Sequence, residues 1–540
     1  MKKAWLTPGL ALCASLPHLS QAQATMPKMV WAHYFPVMPN DTRTQYGATY
    51  PLTLHMPDDR SDADFQTRFV TMLKNTGING LSFEINPQAK GKAPGLPAYE
   101  KMVAFLQNSN ITVAPCIDAG YYPGIDNDMF NMIVGSYNIS QKYSNPAIQR
   151  DGRLIVFFYG SRNLPAGFWM NLRQRLSAAG YKIFLAGDIG VANEAPAQKM
   201  AIASHLAPNW DAAYNFSSAG MGNSADSNRN FSLNIGNNSR FWINSVMPGY
   251  FRGRLQNGLF TGFGTDPLGT QRLTNYWNDF LNSGSPWVYF STANDFIEHT
   301  NLLPDSTWGY TRSDINLWYA RKFLGQAYPF QRAFYLTTPQ ILYPGDKSSI
   351  ELSAINPTNQ FYSLTYSVTD SQGKTINSGI FSAKPADLST LRISIPQPGL
   401  NPSQFYRVKV RGDGVEILSA PVLFHTMPRG GDRAPFSYYS VSNRLFSPRF
   451  ATASVQWNGG NVAVNNLNIS DILSVDLLMN GNLADQAKLP TTNPILSINR
   501  NLVFDRNTND NTMLQNDSRK YVVRIVYRNG FIWYSDPYIR

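Results

Sequence analysis

The chain of 540 residues predicts a (β/α)8 TIM-like barrel followed by two all-β sandwich-like domains. Three observations carry that expectation. Eight short apolar runs lie between residues 29 and 291. Helical stripes separate several of them and end at glycines. After Phe330 the helical stripes give way to alternating strands divided by Pro, Gly, Asn and Asp turns.

The eight runs are "MVWAHYF" (29–35), "GLSFEI" (80–85), "ITVAPCI" (111–117), "RLIVFFY" (153–159), "YKIFLAG" (181–187), "WDAAYNF" (210–216), "FWINSV" (241–246) and "WVYFS" (287–291). Most lack polar alternation, as expected of parallel strands covered on both faces. Between them, Phe65, Phe69, Met72 and Leu73 share one helical face, and Gly77 can end that helix in the left-handed conformation. Phe168, Leu172 and Leu176 repeat every four residues before Gly180. Leu273, Trp277, Phe280 and Leu281 precede Gly284, and Ile315, Tyr319 and Phe323 close the series. Eight strands alternating with helices over about 300 residues fit a closed barrel. An open doubly wound sheet is the rival, but no Gly-rich phosphate fingerprint follows any strand.

Past the barrel, "SSIELSAI", "FYSLTYSV", "TLRISI" and "FYRVKVRG" alternate as antiparallel strands of a sandwich. "PRGGDRAP" (428–435) reads as a linker. A second all-β segment runs from "FSYYSV" to the end, where "YRNGFIWY" carries a hairpin signal at Asn529-Gly530. The expected division is a signal peptide over 1–24, a barrel over 25–330, and sandwiches over 331–428 and 429–540.

The N-terminus has the grammar of an export signal: basic "MKK", apolar "AWLTPGLALCASL", and "AQA" before Thr25. It is too short and too interrupted by Pro8 and Pro17 to span a bilayer, and no other stretch is apolar enough. A periplasmic or secreted location is therefore expected. Its removal leaves Cys116 as the single cysteine, so no intramolecular disulfide is expected and stability must come from core size. Cys116 itself reads as a small buried apolar residue. Charged residues are only 15% and aromatics 13%; the net charge falls from +11 to +9 when Lys2 and Lys3 leave. With no Lys/Arg block, the charge is diffuse and no nucleic-acid partner is expected. No metal-ligand spacing or cofactor motif is present, so no cofactor is expected; the oligomeric state stays open.

The stretch "STANDFIEHT" (291–300) packs Asn294, Asp295, Glu298 and His299 behind the eighth run. In a barrel it begins at the C-terminal end of the last strand, the face where barrel enzymes keep their chemistry. Other strand ends carry compatible groups: His33 and Tyr34, Glu84, Asp118 with Tyr121 and Tyr122, Tyr159, Asp188, Asn215 and Tyr250. Carboxylates supply acid and base, amides hydrogen-bond hydroxyls, and aromatic faces stack on sugar rings. Trp308 and Tyr310 are further stacking candidates, with rim packing as the alternative. No Ser-centred elbow and no metal cluster is present, which argues against an esterase or deacetylase.

From these residues the chain resembles the barrel glycoside hydrolases of the endo-α-1,3-glucanase (mutanase) and endo-α-mannosidase families. The resemblance covers residues 28 to 325. It rests on "VWAHYFP", "LKNTGINGLSFEI", "DGRLIVFFYG", "VMPGYF" and, most specifically, "STANDFIEHTNLLP". Asn294, Asp295, Glu298 and Pro304 match the family pattern, whereas Ala293 stands where Trp is usual and Ile297 where Gly is common. The Trp loss leaves two expectations open, an enlarged sugar subsite and an inactive member. The resemblance implies endo-acting hydrolysis of α-linked polysaccharide, with Glu298 as general acid and Asp295 as activating base. Their place at the strand ends makes His33, Tyr34, Glu84, Asp118, Tyr159, Asp188, Asn215, Tyr250 and Asn294 the expected substrate contacts. Inversion and retention both stay open, since spacing in sequence does not fix the carboxylate separation. The competing expectation is a non-catalytic glycan-binding or matrix protein on a diverged barrel.

Overall fold

The computed structural model describes residues 26–36, 63–86, 95–119, 126–149, 151–190, 210–216, 241–256, 259–296, 298–346, 349–395, 404–424, 438–443, 453–479, 482–487, 494–498, 520–527 and 531–539. Residues 1–24, the expected export signal, lie outside this set. Eight parallel strands form a nearly closed barrel, and all-β sheets follow it. β1 (Met29–Tyr34), β2 (Gly80–Ile85), β3 (Thr112–Asp118), β4 (Leu154–Tyr159), β5 (Ile183–Asp188) and β6 (Ala212–Tyr214) pair in chain order. The seventh strand is divided at Ile243. Its first part, β7 (Phe241–Trp242), pairs with β6, and its second, β8 (Asn244–Val246), pairs with β11 (Trp287–Phe290). β11 pairs in turn with β1 and brings the ring round.

The helices are α1 (Ala63–Thr76), α2 (Leu96–Phe105), α3 (Asp126–Lys142), α4 (Ala166–Ala178), α5 (Gln271–Ser283) and α6 (Thr311–Leu324). Of these, α1, α4, α5 and α6 lie where the apolar stripes predict, and α2 and α3 are additional to them. Gly77, Gly284 and Gly325 take φ of 82°, 72° and 69° directly after α1, α5 and α6, the left-handed stop that glycine tolerates best. In α4 the deeply buried residue of the first turn is Trp169, whereas Phe168 is only partly covered.

Side chains alternate across each strand. On β1, Trp31 and His33 point into the barrel, while Val30, Ala32 and Tyr34 face the helices. The lumen is filled by rings: Trp31 meets Phe157 at 5.0 Å and Trp287 at 5.5 Å, and Phe157 meets Tyr289 at 5.2 Å. Trp31 fits because β2 offers Gly80 opposite; a Cβ there would sit 2.5 Å from the indole.

One antiparallel hairpin, β9 (Tyr250–Gln256) with β10 (Leu259–Thr265), is inserted between β8 and α5. It is absent from the sequence expectation, although Asn257-Gly258 between two alternating runs is a hairpin signal.

The first β-sandwich is built from β12 (Ala333–Pro339), β13 (Ile341–Leu342), β14 (Ser349–Asn356), β15 (Tyr362–Asp370), β16 (Thr375–Ala383), β17 (Asp387–Ser394), β18 (Phe405–Gly412), β19 (Val415–Phe424) and β20 (Tyr438–Ser442). One sheet runs β17-β14-β12-β20, the other β13-β19-β18-β15-β16. β20 lies beyond residue 428 yet pairs with β12, so strand pairing crosses the expected boundary. The C-terminal strands are β21 (Ser454–Asn458), β22 (Asn461–Asn465), β23 (Ile472–Met479), β24 (Asn482–Gln486), β25 (Ile495–Ser497), β26 (Lys520–Tyr527), β27 (Ile532–Tyr534) and β28 (Tyr538–Ile539). β26 and β27 form the expected hairpin, and one apolar cluster runs through both β regions.

These β regions grip the barrel. Tyr335 of β12 turns to α6 and donates to Asp314 at 2.8 Å, while its neighbours Phe334 and Leu336 enter the sandwich core. The Ser440 N–H of β20 reaches the Thr307 carbonyl at 3.2 Å. From β26, Arg524 pairs with fully buried Asp476 at 2.9 Å and donates to the Ser306 carbonyl at 2.9 Å. Replacing Arg524 by Leu strips Asp476 of its countercharge. We expect a loss of roughly 3–5 kcal/mol, the scale for breaking a buried pair, measured by urea unfolding of the full chain. A loss below about 1 kcal/mol would mean that the pair carries little of this junction.

Candidate functional site

His33 ends the inward row of β1 and is almost fully buried. Its Nε2 meets Glu84 Oε2 at 3.0 Å, and its Nδ1 meets the Tyr289 hydroxyl at 3.0 Å. Tyr289 donates onward to Ser82 Oγ at 3.1 Å. Rings close on the imidazole edge-on, Phe35 at 4.5 Å and Phe216 at 4.9 Å, and Phe216 also packs on Tyr159 at 4.8 Å. Both ring nitrogens therefore have partners. His33 aims Glu84, whose side chain keeps 18% exposure, toward the open end. Tyr289, Ser82 and Phe216 were not among the sequence candidates. Period two does point to them: Ser82 is two residues before Glu84, and Tyr289 two after Trp287.

The loop after β11 answers why two carboxylates stand three residues apart. Asp295 Oδ1 accepts the Glu298 N–H at 2.8 Å, so the first carboxylate caps the turn that presents the second. The Asp295 N–H is itself held by Thr292 Oγ1 at 2.8 Å. Glu298 is half-buried, and the Tyr250 hydroxyl at the start of β9 donates to its Oε1 at 3.4 Å. Asn294 is committed to the backbone: Oδ1 accepts the Phe35 N–H at 2.9 Å, and Nδ2 donates to the Phe35 carbonyl at 2.7 Å. That locks the loop to the end of β1, a structural use in place of the expected substrate contact. Ala293 is fully buried in the helix-side core and its N–H meets the His33 carbonyl at 2.7 Å, so its small side chain opens no subsite.

Farther along the loop, the His299 carbonyl accepts from Arg312 Nη1 at 2.9 Å. Burial, aided by the Arg312 charge, pushes the His299 imidazole down to about 4. His299 is thus neutral near pH 7 and brings no cation to Asp295. The guanidinium of Arg312 lies 3.9 Å over the Trp308 ring, and buried Asp305 caps the N–H groups of Thr307 and Trp308 at 2.7 and 2.6 Å. Trp308 is accordingly a rim-packing residue, buried beside Tyr438.

The other candidates divide by environment. Tyr34 lies on the helix side of β1, stacked on Phe83 and edge-on to Phe69, and is not brought to the mouth. Asp188 accepts backbone N–H groups from Gly160, Gly190 and Phe216 at 3.1, 2.9 and 2.9 Å, tying the ends of β4, β5 and β6 together. Burial pushes its carboxyl up, against those three donors. Asp118 is buried at the end of β3, in register with Tyr159. Asn215 is buried after β6, and its N–H is held by Ser245 Oγ at 2.8 Å. Cys116 is free and buried, its thiol pushed up by desolvation. Tyr121, Tyr122 and Ile297 lie outside the described residues.

Glu298, Asp295, Tyr250 and the His33–Glu84 pair thus share the C-terminal end of the barrel, with Tyr159 and Asp118 at the neighbouring strand ends. A half-buried carboxyl next to a phenol donor can give or take a proton. Among the described residues no group of three or more His, Cys, Asp or Glu side chains is arranged to hold a metal, and no helix is long and apolar enough to cross a membrane.

Neither a protein-family profile nor a curated protein matches the chain. Similar solved structures are glycoside hydrolases. The GH99 endo-α-mannosidase of Bacteroides thetaiotaomicron shares 12% identity at a TM-score of 0.42, over 55% of this chain and 98% of that one. A glycosyl hydrolase family 2 member from Bacteroides cellulosilyticus DSM 14838 shares 9% at 0.39, over 94% and 61%. The β-mannanase of Thermomonospora fusca shares 10% at 0.31, over 48% and 84%. Below a TM-score of 0.5, such likenesses bear on neither the substrate nor the chemistry of this chain.

The depressed His299 value has a consequence for stability. Unfolded, the imidazole protonates near 6.5; folded, only near 4. The unfolded state binds the extra proton in between, so stability falls as pH drops from about 6.5 to 4, by at most about 3 kcal/mol. His299→Asn keeps a residue that tolerates the φ of 57° and removes the titration. Its urea midpoint should vary less with pH across that window than the wild type's; parallel curves would show that His299 is not the group responsible.

Proposed function

We propose that this chain is an exported glycoside hydrolase that cleaves α-glycosidic bonds within an α-glucan- or α-mannan-like polysaccharide outside the cytoplasm. The observation that carries the reading is Glu298. It stands at the barrel's C-terminal mouth, half-buried, with a phenol donor at 3.4 Å and its backbone fixed by a second carboxylate. Glycoside hydrolysis needs one carboxylic acid to protonate the leaving oxygen and a second carboxylate to complete the displacement. Glu298 is the acid. When it gives up its proton, the Tyr250 hydroxyl hydrogen-bonds the carboxylate that forms, which favours the transfer. Asp295 is the activating base, and its Oδ1 also caps the Glu298 N–H. Glu84, aimed by His33, lines the sugar site with Tyr159 and Asp118. The sequence resemblance supports the same assignment through Asn294, Asp295, Glu298 and Pro304.

The alternative is a non-catalytic glycan-binding protein. It is favoured by the near-complete burial of Asp295, which is 5% exposed and already engaged in the turn. Incubation with α-glucans and α-mannans, read by new reducing ends, decides between them. Glu298→Gln should lower turnover at least about 100-fold, the scale of lost acid–base assistance, with substrate binding retained. Asp295→Asn preserves the cap acceptor and so tests the chemistry apart from the turn; a similar loss is expected. The wild-type pH–rate profile should be bell-shaped, and Glu298→Gln should lose its alkaline limb. Cleavage at the wild-type rate by both variants would remove the pair from the mechanism. Glycan binding with no cleavage of any substrate would establish the binding protein instead.

A further inference from the structure

We propose that the cleft between the two β regions is a second binding site, and that it takes a neutral saccharide chain. Its volume is about 470 Å³, within the range of about 300–1,000 Å³ usual for ligand pockets. One wall is the outer face of β18. Phe405, Arg407 and Lys409 alternate there, while Tyr406 and Val408 between them enter the core. The other wall is the C-terminal hairpin, with Trp533 and Asp536. An outer sheet face is normally left to solvent; here a second domain leans over it and stops short of closing.

Each cation of the cleft already has a carboxylate beside it, and Asp370 adds a third carboxylate to the lining. Arg407 Nε donates to Asp536 Oδ1 at 2.8 Å, and Lys409 Nζ lies 3.4 Å from Glu416 Oε2. Two cations facing carboxylates leave no net positive field for a polyanion. They do leave fixed donors and acceptors at short spacing, which suits a ligand made of hydroxyls. Trp533 and Phe405 supply apolar surface for the C–H faces of sugar rings. An extended peptide is less well served. β18 is an inner strand, paired with β15 on one side and β19 on the other, so the wall it forms offers no free backbone edge for strand addition. The proposal is independent of the barrel's chemistry.

Affinity electrophoresis of the full chain tests it, in gels carrying a soluble α-glucan, a soluble α-mannan or a soluble β-glucan, with alginate as the polyanion. Glu298→Gln is used as background to silence cleavage at the barrel. At least one neutral glycan should retard the chain, and Trp533→Ala should weaken that retardation roughly tenfold, the scale of one lost aromatic contact. Ser419→Trp, which fills the cleft from β19, should do the same without removing a contact. Lys409→Ala, at a side chain 40% exposed, tests the same face should either larger change unfold the chain. No retardation by any neutral glycan overturns the proposal. So does equal retardation of all three variants, or retention by alginate alone. None of these results alters whether the barrel cleaves a short oligosaccharide.

Discussion

The aromatic filling of the barrel is the constraint from which the rest follows. Trp31, Phe157, Trp287 and Tyr289 come from three strands, β1, β4 and β11, and occupy the lumen as one plug. Rings of this size bury about 150–250 Å² each. They demand glycine at position 80, where any side chain would meet the Trp31 indole. The uppermost member, Tyr289, is also the first polar one. Its hydroxyl joins Ser82 to His33, and His33 carries the contact to Glu84. The apolar floor and the polar mouth are therefore one continuous column, and a repacked floor would tilt the groups above it.

The segment from Ser291 to Arg312 is the second organising element. Almost every polar group described in it is used to hold its own course: Asn294 to β1, Asp295 to Glu298, Asp305 to Trp308, and Arg312 to the His299 carbonyl. Glu298 is the member that faces outward to Tyr250. A dense frame fixes where that half-buried carboxyl stands. The cost is visible in two ionisable groups, Asp305 pushed up and His299 pushed down by desolvation.

Much of this architecture is legible in the sequence, for physical reasons. Parallel strands covered on both faces read as apolar runs, so "GLSFEI" and "FWINSV" mark β2 and the divided seventh strand residue for residue. Left-handed glycines mark helix ends after Thr76, Ser283 and Leu324. What stays hidden is the use made of a side chain once the strand ends. Asn294, Asp188 and Glu298 are all polar residues at the mouth. Only the fold reveals that the first binds backbone at the end of β1, the second gathers three N–H groups, and the third is left facing a phenol. Tyr34 illustrates a different failure. Adjacent residues of a strand point to opposite faces, so His33 and Tyr34 cannot both line one site. The β9–β10 hairpin and the pairing of β20 with β12 depend on long-range partners, and local alternation is silent about those.

The reach of Arg524 bears on how such chains can be recombined. Barrels with trailing β domains look modular, as if tails could be exchanged between them by cutting in the linker. Here the guanidinium on β26 ends on the carbonyl of Ser306, more than two hundred residues earlier and inside the loop that bears Glu298. Ser440 and Tyr335 hold the same neighbourhood. A foreign tail grafted after α6 would arrive without the donors that residues 305–314 are shaped to receive. The inheritable unit is thus the barrel's last loop together with the domains that clasp it, and a functional graft has to carry both sides of that clasp.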